Sequence, residues 1–456
     1  MADRTPAAWL EVLEKRLHER WNRLKIYDAY YEGDHELAFA TQKWRNAFGA
    51  QFSQLADNWM QIVVDSSVER LNVQGFRFGA SQEADADAWA IWQANNLDAQ
   101  AQMAHTEAVK LSEAYWLVAP GESKDDPPII TAEHPSQFIV AHVPGNRRQR
   151  LAALKKWVGE DSYAYATLYL PSHIFKWQSQ RPINRLSGTR IDWQRRRGDE
   201  GGPNPLGVVP GIPIPNNPSL LRGGRSDLAG GPIHIQNAVN KLLSDMLIGS
   251  EYQAYPQRVL LGVEPPRDEN GRPIPAAELK ASQERVWFFR NENAKVAEFK
   301  AADLENFGKS MDRLVKHLTA QTKTPPHYVL GEVVNASGDA LKAAETGLVS
   351  KTKGKMPAFG DSHEEAMRLS FMAMGDKERA QEIQVETIWR DPESRSFGEL
   401  VDGLVKLSTI GVPHEILWER AGFSPQEIDR MRSMQAADLF LGGVDDGGEQ
   451  PVPTDN

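Results

Sequence analysis

The stretch from Gly198 to Gly231 can be neither regular helix nor central strand. Pro203, Pro205, Pro210, Pro213, Pro215 and Pro218 each lack a backbone donor and fix φ, and glycines crowd the gaps between them. It must run as an extended connector, and the sequence patterns on its two sides differ. Before it, Thr5 reads as an N-cap and Pro6 as a first helical position, followed by Trp9, Leu10, Leu13, Leu17 and Leu24 at helical spacing. Residues 58–71 are helical again, 73–78 read as a short strand, and 85–112 read as one or two helices. Residues 114–195 form a β-rich unit, with strands read at 115–118, 138–140 and 155–158 and the alternation Tyr163, Tyr165, Thr167, Tyr169.

After the connector the pattern becomes helical. Pro232 opens a helix with Ile235, Val239, Leu242 and Met246 on one stripe, ending near Tyr255. Residues 257–262 and 285–290 read as strands around a proline-rich loop. A returning helix over 303–323 carries Leu304, Phe307, Met311, Leu314, Val315 and Leu318 on one face. A loop follows, and then a long helical stretch from Asp339 to about Met374, with a kink expected at Gly354 and Pro357. The remainder reads as short helices with a capping box at Ser424–Glu427, and the glycine-rich acidic tail after Leu441 is expected to be disordered. The class is α+β.

Composition removes several kinds of chemistry. The 456 residues include no cysteine, so there is no disulfide framework, no thiolate nucleophile and no sulfur-ligated zinc site. Residues 1–20 are charged and amphipathic, the pattern of neither a secretory signal nor a transit sequence, and no run nears the roughly 20 apolar residues of a membrane span. The net charge of −10 is unevenly spread: residues 140–200 hold twelve Arg and Lys against five Asp and Glu, whereas residues 361–456 hold nine against twenty. A protein that grips nucleic acid by displacing counterions concentrates basic surface, which an acidic chain does not do. The Arg195–Arg197 cluster reads as a solvated loop or a subunit contact.

No catalytic motif emerges. The glycines at 223–224 and 230–231 lack the lysine of a phosphate cradle. His363-Glu364-Glu365-Ala366-Met367 opens like a helical zinc motif, but methionine stands where the second histidine belongs, so it reads as a surface helix segment. His327 reads as a structural loop histidine, and Leu400–Gln435, loosely like a helix-turn-helix, carries too many carboxylates to dock on a duplex. Lys351, Lys353 and Lys355 are candidate DNA-facing or subunit-contact residues. Spaced two apart, they cannot share one helical face, so some must point to solvent and some to a neighbour.

Several motifs, in order along nearly the whole chain, resemble the portal proteins of tailed double-stranded DNA bacteriophages, in the branch of siphophages of Gram-positive hosts. They are Tyr30-Tyr31-Glu32-Gly33-Asp34-His35, Asn58-Trp59, Val63-Val64-Asp65, Glu69-Arg70-Leu71 and Gly75-Phe76 near the start. In the middle stand Val209-Pro210, Pro213 through Pro218 with Asn216 and Asn217, Gly224-Arg225-Ser226-Asp227 and Ile233 through Lys241. Ser337 through Lys342, Glu345, Leu348 and Lys351 follow later.

The resemblance implies a wing at 1–231, a first stem helix at 232–255, a small α/β clip at 256–302 and a second stem helix at 303–323. A tunnel loop at 324–337, a long kinked helix at 338–375, an α-helical crown at 376–440 and a disordered tail at 441–456 complete the expected order. It also implies a virion protein at one capsid vertex, assembled in the host cytoplasm, with no enzymatic activity and no cofactor. Such a protein forms a ring of about twelve copies through head-to-tail contacts. The expected partners are the terminase large subunit, a head-tail adaptor, the major capsid and scaffolding proteins, and double-stranded DNA passing without sequence specificity. Val333, Val334 and Asn335 would lie nearest that DNA. Two other readings compete: a different head-tail adaptor or minor capsid protein, and a hydrolase of nucleic acid or peptidoglycan.

Overall fold

The computed structural model describes residues 4–39, 57–80, 83–123, 126–183, 186, 191–254, 258–261, 269–272, 286–289, 304–330, 338–393 and 397–442. Residues 331–337 of the expected tunnel loop 324–337, most of the expected clip 256–302, and residues 443–456 of the expected tail 441–456 lie outside them. The chain forms two compact units. One takes Met1–Tyr31, Gln61–Ala229 and Lys323–Asn456; the other takes Glu32–Met60 and Gly230–Thr322.

In the first unit, helix α1 (Pro6–Glu32) starts where Thr5 Oγ1 accepts from the Ala8 N–H at 3.3 Å. Its stripe of Trp9, Leu10, Leu13 and Leu17 covers an antiparallel sheet of β4 (Phe138–Val143), β5 (Asn146–Val158), β6 (Ala164–Tyr169), β7 (His173–Ser179) and β8 (Trp193–Arg195), in that order. Strand β9 (Gly201–Pro203) also pairs with β7. Successive strand residues face opposite ways. Ile139, Ala141, Ala152 and Leu154 therefore meet α1, while Phe138, Val140 and Ala153 meet Tyr115, Leu117 and Val209 on the other side. Arg20 of α1 fixes the helix to the sheet: it donates to Glu113 at 2.7 Å, to the Tyr115 hydroxyl at 3.0 Å and to the carbonyls of Pro135 and Phe138.

A three-stranded sheet runs β10 (Gly211–Pro215), β2 (Glu113–Ala119), β3 (Ile129–Glu133). Gly211 has a packing reason, since a Cβ there would stand 2.6 Å from the Phe138 ring. Helices α2 (Met60–Val68), α3 (Ala86–Ala94) and α4 (Leu97–Leu111) precede these strands. β1 (Val73–Phe78) pairs antiparallel with β13 (Val385–Trp389), so the region read as purely helical beyond residue 376 contains a strand. Around it lie α9 (Lys377–Gln381), α10 (Phe397–Thr409), α11 (His414–Ala421) and α12 (Pro425–Gly442).

Helix α8 (Gly338–Met374) runs as one element through Gly354 and Pro357, the place of the expected kink. Its buried face carries Leu348, Thr352, Lys355, Phe359, Ser362, His363, Ala366 and Ser370. Spacings mostly of three and four make that a helical stripe, with Met367, Leu369 and Phe371 also buried, but Thr352, Lys355, Ser362, His363 and Ser370 in it are polar.

In the second unit, α5 (Gly231–Ala254) packs against α6 (Leu304–Thr322), and β11 (Arg258–Leu261) pairs parallel with β12 (Val286–Phe289). This is the helix, strand pair, helix order that the sequence predicts. Gln236 and Asn240 of α5 are buried: the Gln236 carboxamide accepts from Trp59 N at 3.0 Å and donates to the Asp57 carbonyl, and Asn240 meets His35 Nε2 at 2.9 Å. On α6, Val315 and Leu318 are buried, whereas Leu304, Phe307, Met311 and Leu314 are only half-buried.

Candidate functional site

The chain makes two excursions from the first unit, and the second leaves it after Ala229 and returns at Lys323. On the first unit's side, the exit and the return of this second excursion are held by ion pairs. At the exit, the connector lies along the end of α4: Asn216 N donates to the Ser112 carbonyl at 2.9 Å, Asp227 N to Val109 at 3.0 Å, and Ser226 Oγ to Lys110 at 2.6 Å. Gly224 is pressed so close that a Cβ would fall 2.0 Å from the Ser112 oxygen, so no other residue fits. This brings the Asp227 carboxylate under α8. Lys355 Nζ reaches Asp227 Oδ1 at 2.8 Å and Asn216 Oδ1 at 2.6 Å; Lys351 Nζ lies 2.8 Å from Asp227 Oδ2 and donates to the Val63 carbonyl at 3.2 Å.

The Lys355 side chain is 0% exposed and that of Asp227 3%. Burial alone would raise the Asp227 pKa, but the two ammonium groups outweigh it and hold the carboxyl well below the usual carboxylate range. Burial pulls Lys355 below the ordinary lysine value, Asp227 offsets part of this, and Lys351 adds to it by like-charge repulsion. With two ammonium groups to one carboxylate, the carboxylate gains and the more enclosed ammonium loses.

At the return, α7 (Pro326–Leu330) is gripped by Arg70. Its guanidinium donates to the Tyr328 hydroxyl at 3.0 Å and the Pro392 carbonyl at 2.9 Å, and lies 3.3 Å from Glu345 of α8. His327, beside Tyr328, stands 3.6 Å from the same carboxylate; it sits on this short helix and not in a loop as read from the sequence.

The lysine trio therefore splits as its spacing requires. Lys351 and Lys355, four apart, point inward to Asp227. Lys353 points out, half exposed and 3.4 Å from Asp391. Lys355 has no surface to offer a polyanion or a neighbouring subunit, and Lys351 has little, so of the three only Lys353 presents a charge to solvent. Val333, Val334 and Asn335 lie outside the described residues.

His363 corrects the reading of its segment as surface. It is fully buried among Trp92, Trp116 and Trp389 and pairs with an equally buried His105, Nε2 to Nε2 at 3.0 Å. Trp116 Nε1–H donates to His363 Nδ1 at 3.1 Å. An indole nitrogen can only donate, so in a neutral His363 the proton is on Nε2, which donates to His105 Nε2, and the His105 proton sits on Nδ1. Burial keeps both rings uncharged, pushing His105 down to about 3 and His363 well below its ordinary value, with His105 adding to the latter. Enclosed and neutral, the pair is core structure and not an acid–base device. Among the described residues no group of three or more His, Asp or Glu could hold a metal ion, and no helix is long and apolar enough to cross a membrane.

The motif residues quoted above find one another across the sequence: Tyr31 with Asp65 at 2.9 Å, Arg70 with Glu345, Asp227 with Lys351, Asn216 with Asp227 at 2.9 Å, Trp59 with Gln236, and His35 with Asn240. Spacing along the chain gave no sign of these partners. The comparison with known proteins agrees with the motif. The profile of a family described as phage portal protein, SPP1 Gp6-like, matches residues 10–438, and the chain belongs to that family. It has portal function, as a component of the bacteriophage virion concerned with passage of DNA. Two relatives named portal protein, from Mycobacterium phage D29 and Mycobacterium phage L5, are each 31% identical to it. They align over 399 and 403 residues, 84% of this chain and 79% of the relative in both cases.

Proposed function

We propose that the chain closes head-to-tail into a ring of about twelve copies at one capsid vertex, with DNA entering and leaving through the centre. The observation that carries this reading is the apolar stripe of α6. In one copy Leu304, Phe307, Met311 and Leu314 stay half-open beside α5, an exposure that neighbouring copies would remove. The ring is a conduit and adaptor. Residues 256–302 form the clip that a terminase large subunit meets, and a head-tail adaptor and the capsid and scaffolding proteins meet other faces. The chain itself turns over no ATP and cuts no DNA.

The acidic balance suits this role, because DNA must slide, and a wall rich in lysine would hold phosphates by counterion release. Val333, Val334 and Asn335 form the uncharged apex nearest the duplex, reached through Pro325 and Pro326. Electron micrographs of the purified protein, with light scattering at micromolar concentration, are expected to show rings with a central channel. A stable monomer at every salt concentration sinks the proposal. Val334→Glu or Asn335→Lys is expected to leave rings intact and fill capsids poorly; packaging at the unmodified rate removes the loop from the constriction.

A further inference from the structure

Between β10 and α5 the connector makes a tight turn, Ser219–Arg222, with two leucines at its tip. Ser219 N donates to the Arg222 carbonyl at 3.0 Å and Arg222 N to the Ser219 carbonyl at 3.2 Å. Arg147, at the start of β5, then braces it, donating to the carbonyls of Ser219 and Arg222 at 2.8 Å each and of Leu220 at 3.3 Å. One guanidinium satisfying three carbonyls fixes the turn more firmly than the turn's own bonds could. So held, Leu220 is 99% exposed and Leu221 92%. A single exposed leucine is ordinary, but an adjacent pair held outward by a dedicated arginine marks a contact surface.

The same unit carries a groove of about 600 Å³ beside α1, with an apolar floor of Leu10, Leu17, Trp21, Trp177, Ile191 and Trp193. On its rim, Lys156 is neutralised by Glu14 at 2.9 Å and Lys15 lies 3.9 Å from Glu19, while Glu11 adds an exposed carboxylate. Arg222, also exposed, flanks the leucines.

We propose that Leu220 and Leu221 of one subunit seat in the α1 groove of the next copy, with Arg222 facing Glu11. The inference rests on the ring reading and names one of its contacts. A head-to-tail ring joins two different surfaces at every interface, and here an apolar projection with a basic flank and an apolar groove with an acidic rim occur on one chain.

The absence of cysteine makes the test direct. A chain carrying Leu221→Cys together with His18→Cys, the latter an exposed position lining the groove, is oxidised under mild conditions and run on a denaturing gel. The expected result is a ladder of covalent multimers that neither single substitution yields. Leu220→Ser with Leu221→Ser, both at exposed positions, is expected to raise the concentration needed for ring assembly at least tenfold. Rings that form without a ladder, together with serine variants that assemble as the parent does, overturn this contact and leave the ring reading standing. An unmodified chain that never leaves the monomer overturns both.

Discussion

Helix α8 buries polar groups in two places, two turns apart, by opposite means. At Lys351 and Lys355 the groups are charged and compensated: one carboxylate, Asp227, answers both ammonium ions. At His363 the groups are neutral: its ring accepts from Trp116 at Nδ1 and donates from Nε2 to His105 Nε2. A charge in low dielectric is tolerable only while its partner stays, whereas a neutral pair is tolerable only while no proton arrives. The two centres should therefore fail under different insults.

The largest expected effect is at the charged centre. Asp227→Asn keeps the shape but leaves two lysines enclosed without a carboxylate, and is expected to cost about 3–5 kcal/mol in urea unfolding at pH 7.5. A loss below about 1 kcal/mol would mean that the ion pairs do not hold the connector.

Mild acid should act on the neutral centre next. In the unfolded chain both histidines take up protons near pH 6.5, but in the folded chain His105 does so only at about 3. Protons thus favour the unfolded state, and stability falls progressively as pH drops from 6.5 toward 3. By pH 5 His105 alone should remove about 2 kcal/mol. Asp227 moves the other way. Its carboxyl titrates lower in the folded chain than in the unfolded one, so its contribution is intact at pH 5 and fades only below the ordinary carboxylate range. Unfolding free energies measured at pH 7.5 and 5, for the parent and for His105→Gln, separate the centres. An unchanged pH dependence in the variant would remove the histidine pair as the cause.

The smallest effect belongs to Lys353. Half exposed, with a half-exposed partner, it is expected to change stability by less than about 0.5 kcal/mol when replaced by alanine. A cost above 1 kcal/mol would erase the contrast between the outward lysine and its two inward neighbours.

The same helix explains what the sequence could convey. The stripes of α1 and α6 are apolar on one side, so hydropathy alone locates them, whereas α5 buries Gln236, Asn240 and Ser244 beside Val239. The inner face of α8 carries Thr352, Lys355, Ser362, His363 and Ser370, residue types that read as solvent-facing, interleaved with the buried apolar Leu348, Phe359, Ala366, Met367, Leu369 and Phe371. Asp227, Arg70 and Glu345 entered through the family motif, but their pairing was invisible because partners lie 124 to 275 residues apart in the chain. β13 was missed for a related reason: five residues with one buried side chain make a faint pattern, and their partner strand lies near the other end of the chain.

That last pairing governs the order in which the subunit is made. Arg77 of β1 meets Glu386 of β13 across 309 residues of intervening chain. On a ribosome, β1 must wait with its edge open until β13, about 300 residues later, has emerged. Contacts so distant in sequence form late and slowly, and an unpaired edge is vulnerable meanwhile. Release of a finished monomer would thus be tied to the synthesis of β13, and the supply of ring-ready subunits would be set by that closing step.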